Sequence, residues 1–275
     1  MLESIRATCQ LHGESVPHHQ LMFQTVENAI DLAVKDDVDF YLLLLQDVFQ
    51  YMDNYKYEDG MKRLISEMEV LLSDKTVGAS KDRALLLDCR AVMEKNTKKA
   101  IKLMEDALAL LPEITSDNAL LVSNLNANVG ALYRTEKKID LAQAHMKTAM
   151  DILEEYGLVG YHDSIVQYIN YAALLIDIGD AAAALEGLRR IEFIVRTEGE
   201  VSGDYAELLE TMGCIYLTRM DVPQGTAYLK RALAIYEELW SGDPQLIESK
   251  KAEIQSYYAA TGVVLAKALL AKRGR

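Results

Sequence analysis

The sequence predicts an all-α fold in which antiparallel helix hairpins stack into a solenoid. A pattern of residues recurs four times at nearly constant spacing, and within each unit the apolar residues lie three and four apart, the period of a helix. The composition agrees, because half of the 275 residues are hydrophobic and only four are proline. One hairpin cannot bury its apolar face alone, so stacking supplies a continuous core.

Each unit aligns on one anchor position in its first helix. The anchors are 42, 42 and 41 residues apart, and they are Asp88, Gly130, Ala172 and Gly213. The residues three positions later are larger in three of the four units: Ala91, Tyr133, Leu175 and Tyr216. Small residues open the second helix twelve positions after the anchor: Ala100, Ala142, Ala184 and Gly225. Gly or Ala at the second site, and at three of the four anchors, predicts that the two helices of a hairpin approach closely.

The flanking segments extend this pattern outward. Residues 1–36 are expected to form an N-terminal helix, either a cap or a degenerate repeat, and residues 246–275 a C-terminal capping helix. Residues 37–245 hold the tandem repeats, with Tyr51 and Gly60 in register in the earliest one. The expected repeats are 41–74, 81–114, 123–157, 165–199 and 206–240.

The repeat resembles the tetratricopeptide repeat family. The Gly-x-x-Tyr motif of that family is present as Gly130-x-x-Tyr133 and as Gly213-x-x-Tyr216. The resemblance implies a right-handed superhelix whose first helices line a concave groove. It covers about four-fifths of the chain, and it indicates the fold more strongly than the function.

The length of the repeat points to one variety of the family. The standard tetratricopeptide unit has about 34 residues, so the spacing here adds about one turn to each helix. Together with "NVGALY" and "KRALAIYEELW", the longer period is similar to the kinesin light chain variety. That variety carries asparagine two residues before the anchor, as Asn128 and Asn170 do here.

Net charge and cysteine content limit the binding partners and the cellular location that we expect for the protein. The net charge of −13 disfavours binding to nucleic acid or to anionic membranes, both of which need clustered Lys and Arg. The chain has no apolar run near the ~20 residues that span a bilayer, and from its first residues we expect no secretory signal. Three widely separated cysteines, Cys9, Cys89 and Cys214, form no disulfide framework, so a cytoplasmic location is expected.

Catalytic and cofactor motifs are missing from the sequence. It has no phosphate-binding loop and no H-E-x-x-H, and the adjacent His18 and His19 lack further ligands in the sequence nearby. Neither Cys89 nor Cys214 can be assigned a general base from the sequence. We therefore expect no enzyme activity, no cofactor and no metal.

The resemblance implies a set of groove residues in the first helices. Asparagine side chains there could donate to and accept from a peptide backbone, and the alternative is that Asn128 and Asn170 bond to neighbouring helices and fix the angle between repeats. The N-terminal end of the groove is expected to be apolar, through Leu42, Leu45, Phe49 and Leu86. The predicted peptide-binding residues are Asn124, Asn128, Arg134, Asn170, Asp177, Glu207 and Glu210.

Two functions from different classes follow from this groove. The first is a non-catalytic scaffold that binds a protein or an extended peptide segment, and it could also pair as a homodimer. The alternative is a peptide-sensing regulatory domain of a larger signalling or transcription-regulator protein. Asn126 fits neither function, because it occupies a position that normally packs an apolar residue against the second helix.

Overall fold

The computed structural model describes residues 41–42, 44–45, 48–49, 52–53, 57–74, 78–160, 162–198 and 202–273, with backbone alone at 162–163 and 263–273. The predictions for residues 1–36 and for Tyr51 therefore lie outside the described residues. The described residues contain no strand. Their complete helices are α1 (Glu58–Leu71), α2 (Ser80–Met93), α3 (Thr97–Ala109), α4 (Ala119–Thr135), α5 (Ile139–Glu155), α6 (His162–Asp177), α7 (Ala181–Glu198), α8 (Gly203–Thr218), α9 (Val222–Leu239) and α10 (Pro244–Arg273).

The chain divides into two compact units between Ile152 and Leu153. In the first unit, Met61, Leu64 and Met68 of α1 are buried in a hydrophobic cluster with the helical residues that precede α1. In the second unit, the last hairpin and α10 share a smaller cluster of Leu217, Leu229 and Ile254. Each unit thus has apolar side chains withdrawn from water, which drives its folding.

Glycine at the anchor lets the helices of a hairpin approach closely. A Cβ atom on Gly213 of α8 would lie 2.7 Å from Leu229 Cγ and 3.2 Å from the carbonyl oxygen of Gly225, both on α9. The same contact recurs in the first unit, where a Cβ on Gly130 would lie 2.5 Å from Met146 Cγ. The structure thus brings together the anchor and the residues twelve and sixteen positions later.

The turn inside the hairpin has the same backbone conformation in three repeats. Seven residues after the anchor, Lys137, Gly179 and Met220 all have positive φ, of 59°, 86° and 63°. In each turn the next amide N–H donates to the carbonyl five residues earlier, at 2.7–2.9 Å. This left-handed residue with its long-range bond is the Schellman motif, which satisfies carbonyl groups at the end of a helix.

Side chains cap the starts of several helices. Asn96 accepts a hydrogen bond from the amide of Lys99 at the start of α3, at 3.1 Å. Ser202 accepts one from Tyr205 at the start of α8, at 3.2 Å. Each cap satisfies a backbone N–H that the helix itself leaves unpaired, and stabilises the helix start by about 1 kcal/mol.

Candidate functional site

An open cavity of about 790 Å³ lies in the second unit. Helix α8 forms its longest wall, and residues of α6, α9 and α10 complete it. On α8 the lining side chains recur at intervals of three and four residues, so they form one stripe along the helix. These α8 side chains are Asp204, Glu207, Glu210, Thr211, Cys214, Ile215 and Thr218.

Glu210 is the buried centre of this wall, with 7% of its surface exposed. Its carboxylate accepts hydrogen bonds from the Tyr257 hydroxyl at 2.8 Å, the Tyr236 hydroxyl at 3.0 Å and Lys250 Nζ at 3.3 Å. These donors come from α9 and α10. A buried carboxylate is tolerated because three donors replace its water. Glu210 therefore joins three helices.

Lys250 places a positive charge in the same wall. Its ammonium group lies 2.7 Å from Glu253 Oε2 and 5.0 Å from the centre of the Tyr236 ring. Burial alone would lower the pKa of Lys250, but the bonds to Glu253 and Glu210 outweigh it, and the pKa is raised. The wall thus already holds one ammonium ion between carboxylates and an aromatic face, a geometry that favours cations.

Glu207 faces the cavity without such a donor. Among the described residues, none donates a side-chain hydrogen bond to its carboxylate. Glu207 is exposed overall, yet the protein around it removes enough water to raise its pKa, and the nearby Asp204 and Glu210 raise it further. Lys250 acts in the opposite direction. A carboxylate that lacks a hydrogen-bond donor and lies near two other carboxylates favours a further positively charged partner.

A second, smaller pocket of about 250 Å³ adjoins this cavity. Both are lined by Cys214, Thr218 and Tyr257. The remaining walls of the smaller pocket are mostly aliphatic, and they comprise Leu217, Met220, Ala260 and Thr261. We call the larger space the acidic cavity and the smaller one the apolar pocket.

The cysteine on this wall is not an activated nucleophile. Burial, followed by the charge of Glu210, raises the pKa of the Cys214 thiol to about 12. The thiolate is the reactive form, so a thiol with a raised pKa is inert at neutral pH. Burial also raises the pKa of Cys89 in the first unit. Within the described residues, no group of His, Cys, Asp and Glu has the arrangement of a metal site.

The structure places the predicted residues of the second unit in two settings. Glu207 and Glu210 both line the acidic cavity. Asn170 is partly exposed on α6, and Asp177 is exposed at the end of that helix; neither lines the cavity. The cavity thus brings together two of these four residues.

The structure places the predicted residues of the first unit on α4. Asn124, Asn128 and Arg134 are all partly exposed. Asn128 interacts with the carboxylate of Asp88 on α2 and lowers the pKa of that group. An interaction between neighbouring first helices is the kind of role that the sequence left open as the alternative for Asn128.

Asn126 has an internal role. Its Nδ2 donates to the carbonyl oxygen of Val122 at 2.8 Å, and its Oδ1 lies 3.0 Å from Nδ1 of His145 on α5. Because that oxygen can only accept, His145 must donate from Nδ1. Burial lowers the pKa of His145, which favours this neutral ring. Asn126 therefore links the two helices of its hairpin.

The prediction that the N-terminal end of the groove is apolar is wrong. Leu42, Leu45 and Phe49 are 0%, 0% and 4% exposed, and they pack in the core of the first unit. Leu86 is partly buried against the same cluster. These side chains contact α1 rather than a groove, because the hydrophobic effect favours their complete burial.

Sequence reasoning chose different residues of α10. The sequence predicted Ser256 and Lys267 of this capping helix in the groove, whereas Ser256 does not line the acidic cavity and Lys250, Glu253 and Tyr257 do. Their spacing of three and four residues would place them on one helical face, which is the signal that could have found them. The side chain of Lys267, also expected in the groove, lies outside the described residues.

The Asp88 carboxyl gives a testable pH dependence. Its Oδ1 has no hydrogen-bond partner, and burial, opposed by the Asn128 interaction and assisted by Asp53, raises its pKa from 3.8 to about 6. The native state thus holds a proton that the unfolded state has lost, and stability falls as the pH rises from about 4 to about 6.

We expect Asp88→Asn to remove this loss. The variant should be more stable than the wild type by about 1–2 kcal/mol near pH 7.5 and about equal to it near pH 4. The full pKa shift of Asp88 would correspond to a larger gain in stability, but Asp88 as a whole is partly exposed, and solvent reduces the effect. Urea denaturation at both pH values measures this. The control is Asp106→Asn, at a half-exposed ion pair; a destabilised Asp88→Asn near pH 7.5 contradicts the prediction.

None of the described helices is long and apolar enough to cross a membrane. No protein-family model matches the chain. A search of curated proteins also finds no match.

Solved structures show similarity in fold. A Rap protein complexed with Competence and Sporulation Factor matches with a TM-score of 0.62 and 17% identity, over 99% of this chain and 74% of that one. BtubC from P. vanneervenii matches with a TM-score of 0.57 and 16% identity, over 78% and 88%. A putative kinesin light chain of Podosopora anserina with TPR-like repeats matches with a TM-score of 0.52 and 12% identity, over 72% and 95%.

At these identities the similarity concerns the fold and does not extend to activity. The ten complete helices contain the helix hairpins that the repeat predicts, and the described residues add no strand. The predicted all-α solenoid class is confirmed, and the chain has the fold of the tetratricopeptide-like repeat proteins.

Proposed function

We propose that this chain is a non-catalytic scaffold that binds a protein or peptide segment in the acidic cavity. The observation that carries the proposal is the stripe of cavity-lining side chains on α8. From Asp204 to Thr218 the stripe spans fifteen residues of helix, or about 21 Å from first to last. An extended chain advances about 3.3 Å per residue, so a segment of about six residues matches this length.

The chemistry of the wall suits a polypeptide. The Thr211 hydroxyl can donate and accept, and the Thr218 hydroxyl, which donates to a carbonyl of its own helix, can accept. Ile176 and Trp240 add apolar surface. Backbone amides and carbonyls of an extended segment need both kinds of partner. The inert thiol of Cys214 supports a binding role over nucleophilic catalysis.

A cavity-filling variant tests the proposal. Thr211→Trp places an indole in the acidic cavity, and Thr197→Trp places one on the exposed face of α7 as a matched control. Both variants and the wild type are used to capture proteins from native extract. We expect at least one partner that the wild type and the control retain and Thr211→Trp loses. Equal capture by all three proteins would contradict the proposal.

The alternative function, a peptide-sensing regulatory domain, has one observation in its favour. The chain matches a Rap protein complexed with Competence and Sporulation Factor along 99% of its length. A sensor must control an output, so a DNA-binding or catalytic domain in the same native gene would support this reading. The absence of such a domain from the native gene would favour the scaffold function.

A further inference from the structure

The acidic cavity and the apolar pocket are adjoining spaces of opposite chemistry. Cys214, Thr218 and Tyr257 line both, so a ligand that occupies one extends naturally into the other. Four carboxylates and one ammonium group line the acidic cavity, whereas the apolar pocket has no charged side chain among its described lining residues.

The wall of the acidic cavity already accommodates a cation, the ammonium group of Lys250. Lys250 of α10 is only 18% exposed and contacts Glu210, Glu253 and the Tyr236 ring. This one ammonium leaves the wall with an excess of negative charge, and Glu207 has no donor among the described residues. A second cation beside Glu207 would compensate a carboxylate whose pKa is raised by three other carboxylates and lowered only by Lys250.

The apolar pocket has room for an aliphatic side chain. Its volume of about 250 Å³ exceeds the ~150 Å³ at which an engineered apolar cavity binds benzene. Of its lining residues, Leu217 is buried and Ala260 on α10 is exposed, so part of the pocket wall is open to a ligand. Filling it with a leucine or methionine side chain would remove apolar surface from water.

We propose that the bound segment carries a lysine or arginine side chain and, close to it in sequence, a large aliphatic side chain. The cation pairs with Glu207 in the acidic cavity, and the aliphatic side chain fills the apolar pocket. This inference rests on the proposed function and specifies its ligand.

The probes are fluorescein-labelled octapeptides of glycine and serine that contain one arginine and one leucine, separated by zero to three residues. We expect one spacing to bind best in fluorescence anisotropy. Replacing its arginine by the neutral isostere citrulline, or its leucine by serine, should each weaken binding about tenfold, or about 1.4 kcal/mol. Binding that does not depend on either side chain overturns the inference.

Two protein variants assign each side chain to its space. Glu207→Gln should weaken binding of the arginine peptide about tenfold and leave the citrulline peptide unchanged, and exposed Glu186→Gln on α7 is the matched control. Ala260→Phe should block the leucine, with Ala259→Phe as the control on the same helix. Circular dichroism verifies that each variant is folded. If neither variant differs from its control, the inference is wrong.

The outcome is separable from that of the scaffold proposal. If no octapeptide binds while Thr211→Trp still loses a partner from extract, the scaffold proposal holds and the bipartite ligand is wrong. If the octapeptides behave as expected while capture is equal for all proteins, the cavity binds this chemistry but does not recruit the partner, and the scaffold proposal fails.

Discussion

Replacing Glu210 with alanine is expected to destabilise the second unit by about 3 kcal/mol. The carboxylate accepts from Tyr236, Tyr257 and Lys250, and its removal leaves the buried Tyr236 hydroxyl without this acceptor. Losing one partner of a buried, hydrogen-bonded ion pair typically costs about 3–5 kcal/mol, and an unpaired buried hydroxyl about 1–3 kcal/mol. Urea denaturation near neutral pH measures the change.

Glu253→Ala is the matched control for Glu210→Ala. Glu253 contacts the same Lys250, at 2.7 Å, and the same Tyr257, but 48% of its side chain is exposed. Water can therefore replace most of the hydrogen bonds that Glu253 makes, and we expect the free energy of unfolding to fall by no more than about 1 kcal/mol. Equal losses from the two variants would mean that burial of Glu210 does not determine its contribution.

Replacing Gly213 with alanine is expected to cost about 2–3 kcal/mol. Alanine normally stabilises a helix relative to glycine by about 1 kcal/mol. Here its methyl group would lie 2.7 Å from Leu229 Cγ and 3.2 Å from the Gly225 carbonyl oxygen. Leu229 is 1% exposed and cannot move aside freely, so the helices must separate.

Gly187→Ala provides a control of opposite sign. This glycine is also helical, but an added Cβ would lie 3.8 Å from its nearest neighbour, Tyr168 Cδ1, which is an ordinary contact. We therefore expect it to stabilise the protein by about 0.5–1 kcal/mol. Thermal unfolding of the two variants decides the matter, and a stabilised Gly213→Ala would disprove the close approach of α8 and α9.

The repeat could be predicted from the sequence because it depends on local side-chain size. Gly130 and Gly213 mark helices that approach closely, and the residues twelve and sixteen positions later meet them in the structure. The partners of Asn126 and Asn128 could not be predicted in the same way. Each depends on one partner in a neighbouring helix, His145 or Asp88, whose position only the packed structure fixes.

The candidate site could be predicted only in part. The groove position of α8 predicted Glu207 and Glu210, and both line the acidic cavity. The three hydrogen-bond donors to Glu210 come from α9 and α10. Their arrangement depends on how the helices pack, and the sequence of α8 alone does not show it. Peptide binding by these residues, and by Asn124, Asn128, Arg134, Asn170 and Asp177, stays a prediction.

The left-handed turn has a consequence for engineering. Lys137, Gly179 and Met220 share one backbone conformation at the same distance from the anchor, so we expect that the three turns can be exchanged. A turn moved from one hairpin to another should keep the same face of the second helix directed at the first helix. Lysine and methionine each carry a conformational penalty there that glycine avoids. The glycine turn is therefore the natural donor for such chimaeras, and the other two turns are the natural recipients.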